Sequence, residues 1–225
     1  SISEIKSLSN NDNIRGYISD LSDFNSIQKM IDEISSDFSK LDVLINNAGV
    51  YNSPKQLTND HLDMRFAVNY FAPYQLTNGL LPFLEKSSAP RVINLSSAAQ
   101  SMVSIDALLG KTLITEQNAY AQSKLALTMW SFYLSNKEKN LNVIAVNPGS
   151  LLNTKMVQQA FGQHWSSADK GAVILHKLAL SEEFKNSSGK YFDNDKGDFN
   201  NAHADAYNQE KINELITATK ALLKT

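Results

Sequence analysis

Apolar positions along the chain fall into two recurring patterns. Between Ser22 and Lys40, Phe24, Ile27, Ile31, Ile34 and Phe38 step by three, four, three and four. That spacing predicts one buried stripe on a helix. Residues 41–45 then form a short apolar run broken only by Asp42, and residues 91–95 and 141–146 form two more. Continuous runs of this length predict parallel strands covered on both faces. A strand is also expected at residues 14–18, and a last short one at 189–193. A long helix is expected from a cap at Thr58 or Asn59 toward Glu85, although Pro73 and Pro82 each remove a hydrogen bond and tend to kink it. Further helices are expected from Ala119 to about Lys137, from Ser167 or Asp169 to Leu180, and over 209–223. Strands alternating with helices predict an α/β fold.

Composition narrows this to one domain over residues 1–225. A chain of 225 residues with 42% hydrophobic side chains can bury one sizeable core. Its net charge of −2 supplies no general pull toward nucleic acid or anionic membrane. There is no cysteine, which rules out disulfides, thiolate chemistry and cysteine metal sites and fits a reducing, cytoplasmic setting. No apolar run approaches the ~20 residues of a membrane span, and the N-terminal stretch lacks a signal peptide's hydrophobic region. His61, His164, His176 and His203 are scattered without ligand spacing, so no metal site is expected.

Candidate chemistry centres on Tyr120 and Lys124, which stand four apart and share one helix face. A cation beside a phenol is expected to lower its pKa from about 10. Such a tyrosine exchanges a proton with a carbonyl or alcohol oxygen, a contribution of roughly 10²–10⁴-fold in rate. The same spacing arises in many amphipathic helices as a packing pair, so the weight comes from what accompanies it. Asn46-Asn47-Ala48-Gly49 ends the 41–45 strand, at the usual ligand side of an open α/β sheet. Its small residues let backbone approach a ligand, and the glycine can turn sharply. Asn69 lies near the expected helix irregularity. Ser96-Ser97 ends the 91–95 strand without the Gly-x-Ser-x-Gly elbow of a nucleophile. Asn147-Pro148-Gly149 ends the 141–146 strand.

Together, in this order, these motifs resemble the short-chain dehydrogenase/reductase family. The resemblance implies a Rossmann-like doubly wound parallel sheet and an NAD or NADP cofactor. It implies Tyr120 as general acid/base, Lys124 as the residue that lowers its pKa and holds the nicotinamide ribose, and Ser97 as the donor to the substrate oxygen. Asn69 would bend its helix and anchor a relay water. For the cofactor it implies Asn47, Ala48, Gly49, Pro148 and Gly149, with Thr154 holding the carboxamide, although the stretch to Thr154 is one residue longer than the commonest form. Asp20, with Leu21, would contact the adenine. Asp20, Ser22 and Asp23 are also each candidates to cap the following helix.

The twenty-two residues between Ser97 and Tyr120 are similar to the branch containing the retinol dehydrogenases, the WW-domain-containing oxidoreductase and the protochlorophyllide reductases. So long a loop is expected to be functional and to roof the substrate. Residues 150–166, with the adaptable Met156, Phe161 and Trp165, are expected to form a substrate lid over an apolar carbonyl or alcohol. The resemblance also implies a homodimer through the helices carrying Asn69 and Tyr120.

One part of the pattern is missing. The nine glycines include no two closer than eight positions, so the glycine-rich turn that cradles a pyrophosphate is absent. Family strand order 3-2-1-4-5-6-7 would make the missing strands central, leaving the 14–18 strand unable to reach the 41–45 strand. By analogy, about fifty further residues are expected upstream of Ser1, since buried unpaired backbone is costly. The alternative is a non-catalytic relative that serves as a binding or scaffold domain.

Overall fold

The computed structural model describes residues 2–224, the side chains of Ala160 and Phe161 excepted. Five strands lie side by side in chain order: β1 (Val43–Asn46), β2 (Arg91–Leu95), β3 (Asn142–Asn147), β4 (Lys190–Asp193) and β5 (Asp198–Phe199). The first four are parallel, with Val43 opposite Arg91 and Arg91 opposite Asn142, and β5 returns antiparallel. Every residue of β2 and β3 is buried. Alternate side chains explain why: Val92, Val143 and Ala145 enter one core, while Ile93, Leu95, Ile144 and Val146 enter another on the opposite face. Helices therefore cover both faces, and the fold is the expected doubly wound α/β single domain. β5 lies in a stretch whose polar residues gave no sign of a strand. It closes through Gly197 at φ +73° and a cluster of Phe184, Phe192 and Phe199, with ring centroids 5.2–5.9 Å apart.

No strand forms at residues 14–18. β1 is the sheet edge among the described residues, and Ile45 on it is 39% exposed. Without a neighbouring strand to complete its ladder, the 14–18 segment is held to a helix instead. Tyr17 donates to Asp37 at 2.6 Å and Arg15 pairs with the same carboxylate at 2.7 Å, while Ile18 stays wholly exposed. Helix α1 (Ile2–Ser9) precedes it and buries no residue. Helix α2 (Phe24–Asp37) starts at an Asp23 cap and buries Ile27 and Ile31.

The long helix begins later than Thr58. The Thr58 hydroxyl is engaged by the Leu62 amide at 3.3 Å in a tight turn, and Asp63 caps the helix instead. It runs as α3 (Met64–Phe66), a π-helical turn (Ala67–Phe71) and α4 (Ala72–Leu84). Pro73 has no N–H for the Asn69 carbonyl, and its ring would crowd that oxygen in an α-helix. The wider turn over Ala67–Phe71 relieves this conflict.

After a short α5 (Ile105–Leu108), α6 (Glu116–Lys137) begins at a Thr115 cap. Ala107 and Leu108 of α5 are buried in the main core. In the same 98–119 segment Met102 and Leu113 stay 61% and 60% exposed. On α6, residues 123–132 are all buried within the chain. Helices α7 (Lys155–Phe161), α8 (Ala168–Leu180) and α9 (Gln209–Leu223) complete the fold. α9 covers the helices that carry Asn69 and Tyr120: Tyr70 and Thr219 share a 2.7 Å hydrogen bond, and Tyr207 just before α9 packs on Phe132 at 5.3 Å. Residues 65–74 and 123–132 of those two helices are buried within the chain itself.

Candidate active site

The carboxyl ends of β1, β2 and β3 open on one cleft of about 490 Å³. Asn47, Ala48 and Gly49 line it after β1, Ser97 after β2, Pro148 and Gly149 after β3, and Tyr120 and Lys124 from α6. Thr154 is on its wall as well, with its hydroxyl accepting from the Val157 amide at 3.3 Å as the cap of α7.

The two serines after β2 both line the cleft but differ in their partners. Ser96 is buried, and its hydroxyl is held by Thr128 at 2.7 Å and the Lys124 carbonyl at 3.2 Å. Ser97 lines the cleft with Tyr120, and its hydroxyl accepts from the Ala99 amide at 3.1 Å. Its carbonyl receives Tyr191 at 3.0 Å and Gln100 at 2.8 Å, which fixes the backbone behind it.

Lys124 is only 4% exposed. Its ammonium donates to the Leu95 carbonyl at 2.7 Å and lies 5.7 Å from the centre of the Tyr120 ring. Desolvation pushes its pKa down to about 8. Burial pushes the Tyr120 phenol up, Ser97 opposes this, and Tyr51 adds to it. The expected lowering of the phenol by Lys124 is therefore not what the protein groups alone produce. Taking both side chains out of water penalises phenolate and ammonium alike. Tyr51 also packs on Tyr120, with ring centroids 4.9 Å apart.

Asn69 does not line the cleft but builds its floor. Its amide oxygen accepts from the Val50 N–H at 2.7 Å, and its nitrogen donates to the Val50 carbonyl and to Ser123, each at 3.0 Å. The side chain thus staples the Asn46–Gly49 turn to α6. A Cβ added at Gly49 would lie 3.2 Å from Asn69 Oδ1 and 3.3 Å from Lys124 Nζ, so a side chain there would crowd both. Asn69→Ala strands the Val50 backbone pair and should destabilise the protein by about 2–4 kcal/mol. Urea unfolding of the variant measures this; an unchanged midpoint would show the staple to be dispensable.

Asp20 lies elsewhere, in a second cleft of about 640 Å³ shared with Val50 and Val68. Its carboxylate accepts from the Ser22 amide at 2.9 Å and hydroxyl at 2.7 Å, which hold its pKa below the usual range. Leu21 packs against the Ile27 and Ile31 cluster instead of lining either cleft.

Sequence reasoning missed three supports. Asn46 donates to Asn94 at 2.7 Å and Thr77 at 3.0 Å, and Asn94 donates to Ser131 at 2.8 Å, forming a buried polar network across β1, β2 and α6. Arg65, wholly buried, donates to the Tyr51 carbonyl at 2.9 Å and pairs with Asp63 and Glu116. Asp195 grips the turn after β3. Polar residues inside apolar runs were the visible signal for the first two; the third had none.

A parallel sheet with an asparagine-lined turn, a serine, a tyrosine–lysine pair and a proline–glycine turn at its carboxyl edge defines a Rossmann-like α/β domain. Residues 2–165 match the family model of the short chain dehydrogenase. The chain belongs to the short-chain dehydrogenase/reductase family, in its retinol dehydrogenase-like branch. Human retinol dehydrogenase 13 is 34% identical over 77% of this chain and 58% of its own length. Human polyprenol dehydrogenase is 29% identical over 95% of this chain and 70% of its own. Among solved structures, NADPH-bound carbonyl reductase from chicken fatty liver superposes with a TM-score of 0.65 at 25% identity, over 89% of this chain and 82% of that one. The chain therefore spans about three fifths to seven tenths of the curated relatives named here.

Proposed function

We propose that this chain carries the catalytic part of an NAD(P)-dependent oxidoreductase acting on an apolar alcohol or carbonyl compound. The observation that carries the reading is the convergence of Ser97, Tyr120 and Lys124 on one cleft between the Asn47–Gly49 and Pro148–Gly149 turns. Ser97 donates to the substrate oxygen, in the manner of an oxyanion donor. Tyr120 passes a proton to that oxygen or takes one from it. Lys124 supplies the nearby positive charge and a donor for the cofactor ribose. When bound, the nicotinamide dinucleotide supplies or accepts the hydride.

The residues suit half of that cofactor well. The small Ala48 and Gly49 leave room for close approach, and the buried ammonium of Lys124 lies in the cleft. Asp20 and its cleft are the candidate adenine end. The cofactor is NAD or NADP. Leu152, Met156, Val157 and Leu175 make an apolar wall, and the human relatives are named for retinol and polyprenol, both long apolar alcohols. Residues 150–166 are read as the lid over that wall; the Phe161 side chain lies outside the described residues.

A second reading is a non-catalytic binding or scaffold domain. Trp fluorescence separates the two. Trp130 is 1% exposed and insulated, whereas Trp165 in the lid is 72% exposed and free to report closure. Titration with NADH and NADPH is expected to change the Trp165 signal for at least one. No response to either, with Trp165→Phe as a blank, favours the scaffold.

A further inference from the structure

The turn after β4 reaches back to the cleft. Asp195 accepts from the Ser150 amide at 2.9 Å, from the Ser150 hydroxyl, and from the Asn147 side-chain amide at 2.9 Å. The same carboxylate stands 3.7 Å from the Lys170 ammonium on α8. Its neighbour Asn194 donates to the Pro148 carbonyl at 2.8 Å and to the Lys170 carbonyl at 3.2 Å. Ser150 begins the lid segment, and Lys170 lies in the first turn of the helix that ends it. Two adjacent side chains therefore hold both roots of the lid and the Pro148–Gly149 turn between them.

The segment so held needs holding. Gly149 has φ +126° and Leu151 φ +47°, a left-handed geometry that costs energy in a residue other than glycine. Inside the lid, Leu152 bridges to Ser166, and the Asn153 amide donates to the Ser166 carbonyl at 2.8 Å, so its neck is pinched independently of Asp195. Burial raises and hydrogen bonding lowers the Asp195 carboxyl, with the net result below the ordinary range, so the grip persists at neutral pH.

We propose that Asp195, assisted by Asn194, is a positioning residue that fixes the Pro148–Gly149 turn and both roots of the 150–166 lid against the end of β4. It touches no reacting atom; it sets where the rim of the cleft stands. The part of this inference that concerns the dinucleotide rests on the cofactor reading above. The part that concerns the lid does not.

Two measurements on Asp195→Ala test it. Lys155 is the lid's single Lys or Arg and is exposed, so trypsin cleavage after it reports how often the lid leaves its place. Cleavage there is expected to rise about tenfold, as for loss of a hydrogen bond to a charged group, with cleavage after the exposed Lys139 unchanged. Equal acceleration at both sites would mean general destabilisation, and no acceleration at Lys155 would mean no grip; either overturns the proposal. The second measurement compares binding of whichever dinucleotide the wild type takes with binding of ADP. The dinucleotide is expected to weaken about tenfold and ADP to stay as it was. A parallel loss of both overturns the positioning role. A wild type that binds neither dinucleotide defeats the cofactor reading, and cleavage after Lys155 then decides the lid claim alone. Asp195→Asn keeps one acceptor for the Ser150 amide and should fall between wild type and alanine in cleavage rate.

Discussion

Tyr120→Phe should lower kcat by about 10²–10⁴-fold, the usual worth of a positioned proton donor, while the folded protein keeps its stability to within about 1 kcal/mol. The ring stays, so its packing against Tyr51 at 4.9 Å stays too; only the phenol oxygen is lost. The pH dependence carries more information than the size of the loss. Burial holds the Tyr120 phenol above its ordinary value, so at neutral pH it is protonated and ready to donate. Carbonyl reduction therefore needs no prior ionisation, and alcohol oxidation should rise with pH as the phenolate forms. Steady-state assays in both directions check this. A Tyr120→Phe enzyme with full turnover, or an oxidation rate indifferent to alkali, would remove the phenol from the reaction.

What could be seen in the sequence and what could not divides along a physical line. The Asn47–Gly49 turn, Ser97, the Tyr120 and Lys124 pair and the Pro148–Gly149 turn were legible because each depends on local geometry, a strand end or one turn of helix. All of them line one cleft. The strand expected at residues 14–18 fails because a strand is made by its neighbour, and none stands beside it. Asp63 displaced Thr58 as a helix cap through a turn at His61 with φ +60° that no spacing rule signals. Asp195 was invisible because its partners stand 45 to 48 residues away. The cover laid over Tyr70 by α9 and over Phe132 by Tyr207 just before it is likewise a tertiary fact. The burial of Lys124 was hidden for the same reason: spacing shows a neighbour, whereas burial is a property of the whole fold.

Lys124 should make stability and activity move in opposite directions with pH. An ordinary lysine titrates near 10.5, and desolvation brings this one to about 8. Between those values the unfolded chain holds a proton that the native chain has released, so the free energy of unfolding rises with pH across that window. The expected gain approaches about 3 kcal/mol by pH 10.5, and below pH 8 this contribution is flat. Lys124→Met should abolish that slope and lower turnover by about 10²-fold or more, since the donor to the ribose and the charge beside the phenol are both lost. Urea unfolding at pH 7.5 and 10 for the two proteins makes the comparison. A wild-type slope that survives in Lys124→Met would assign the titration to another group. Carbonyl reduction, which uses the protonated phenol and the ammonium together, is expected to decline above pH 8 in wild type as the ammonium is lost, over the same range in which the fold grows more stable. A residue retained for its charge inside an apolar wall costs the fold what it contributes to the reaction, and Lys124 places that conflict on one nitrogen, 2.7 Å from the Leu95 carbonyl.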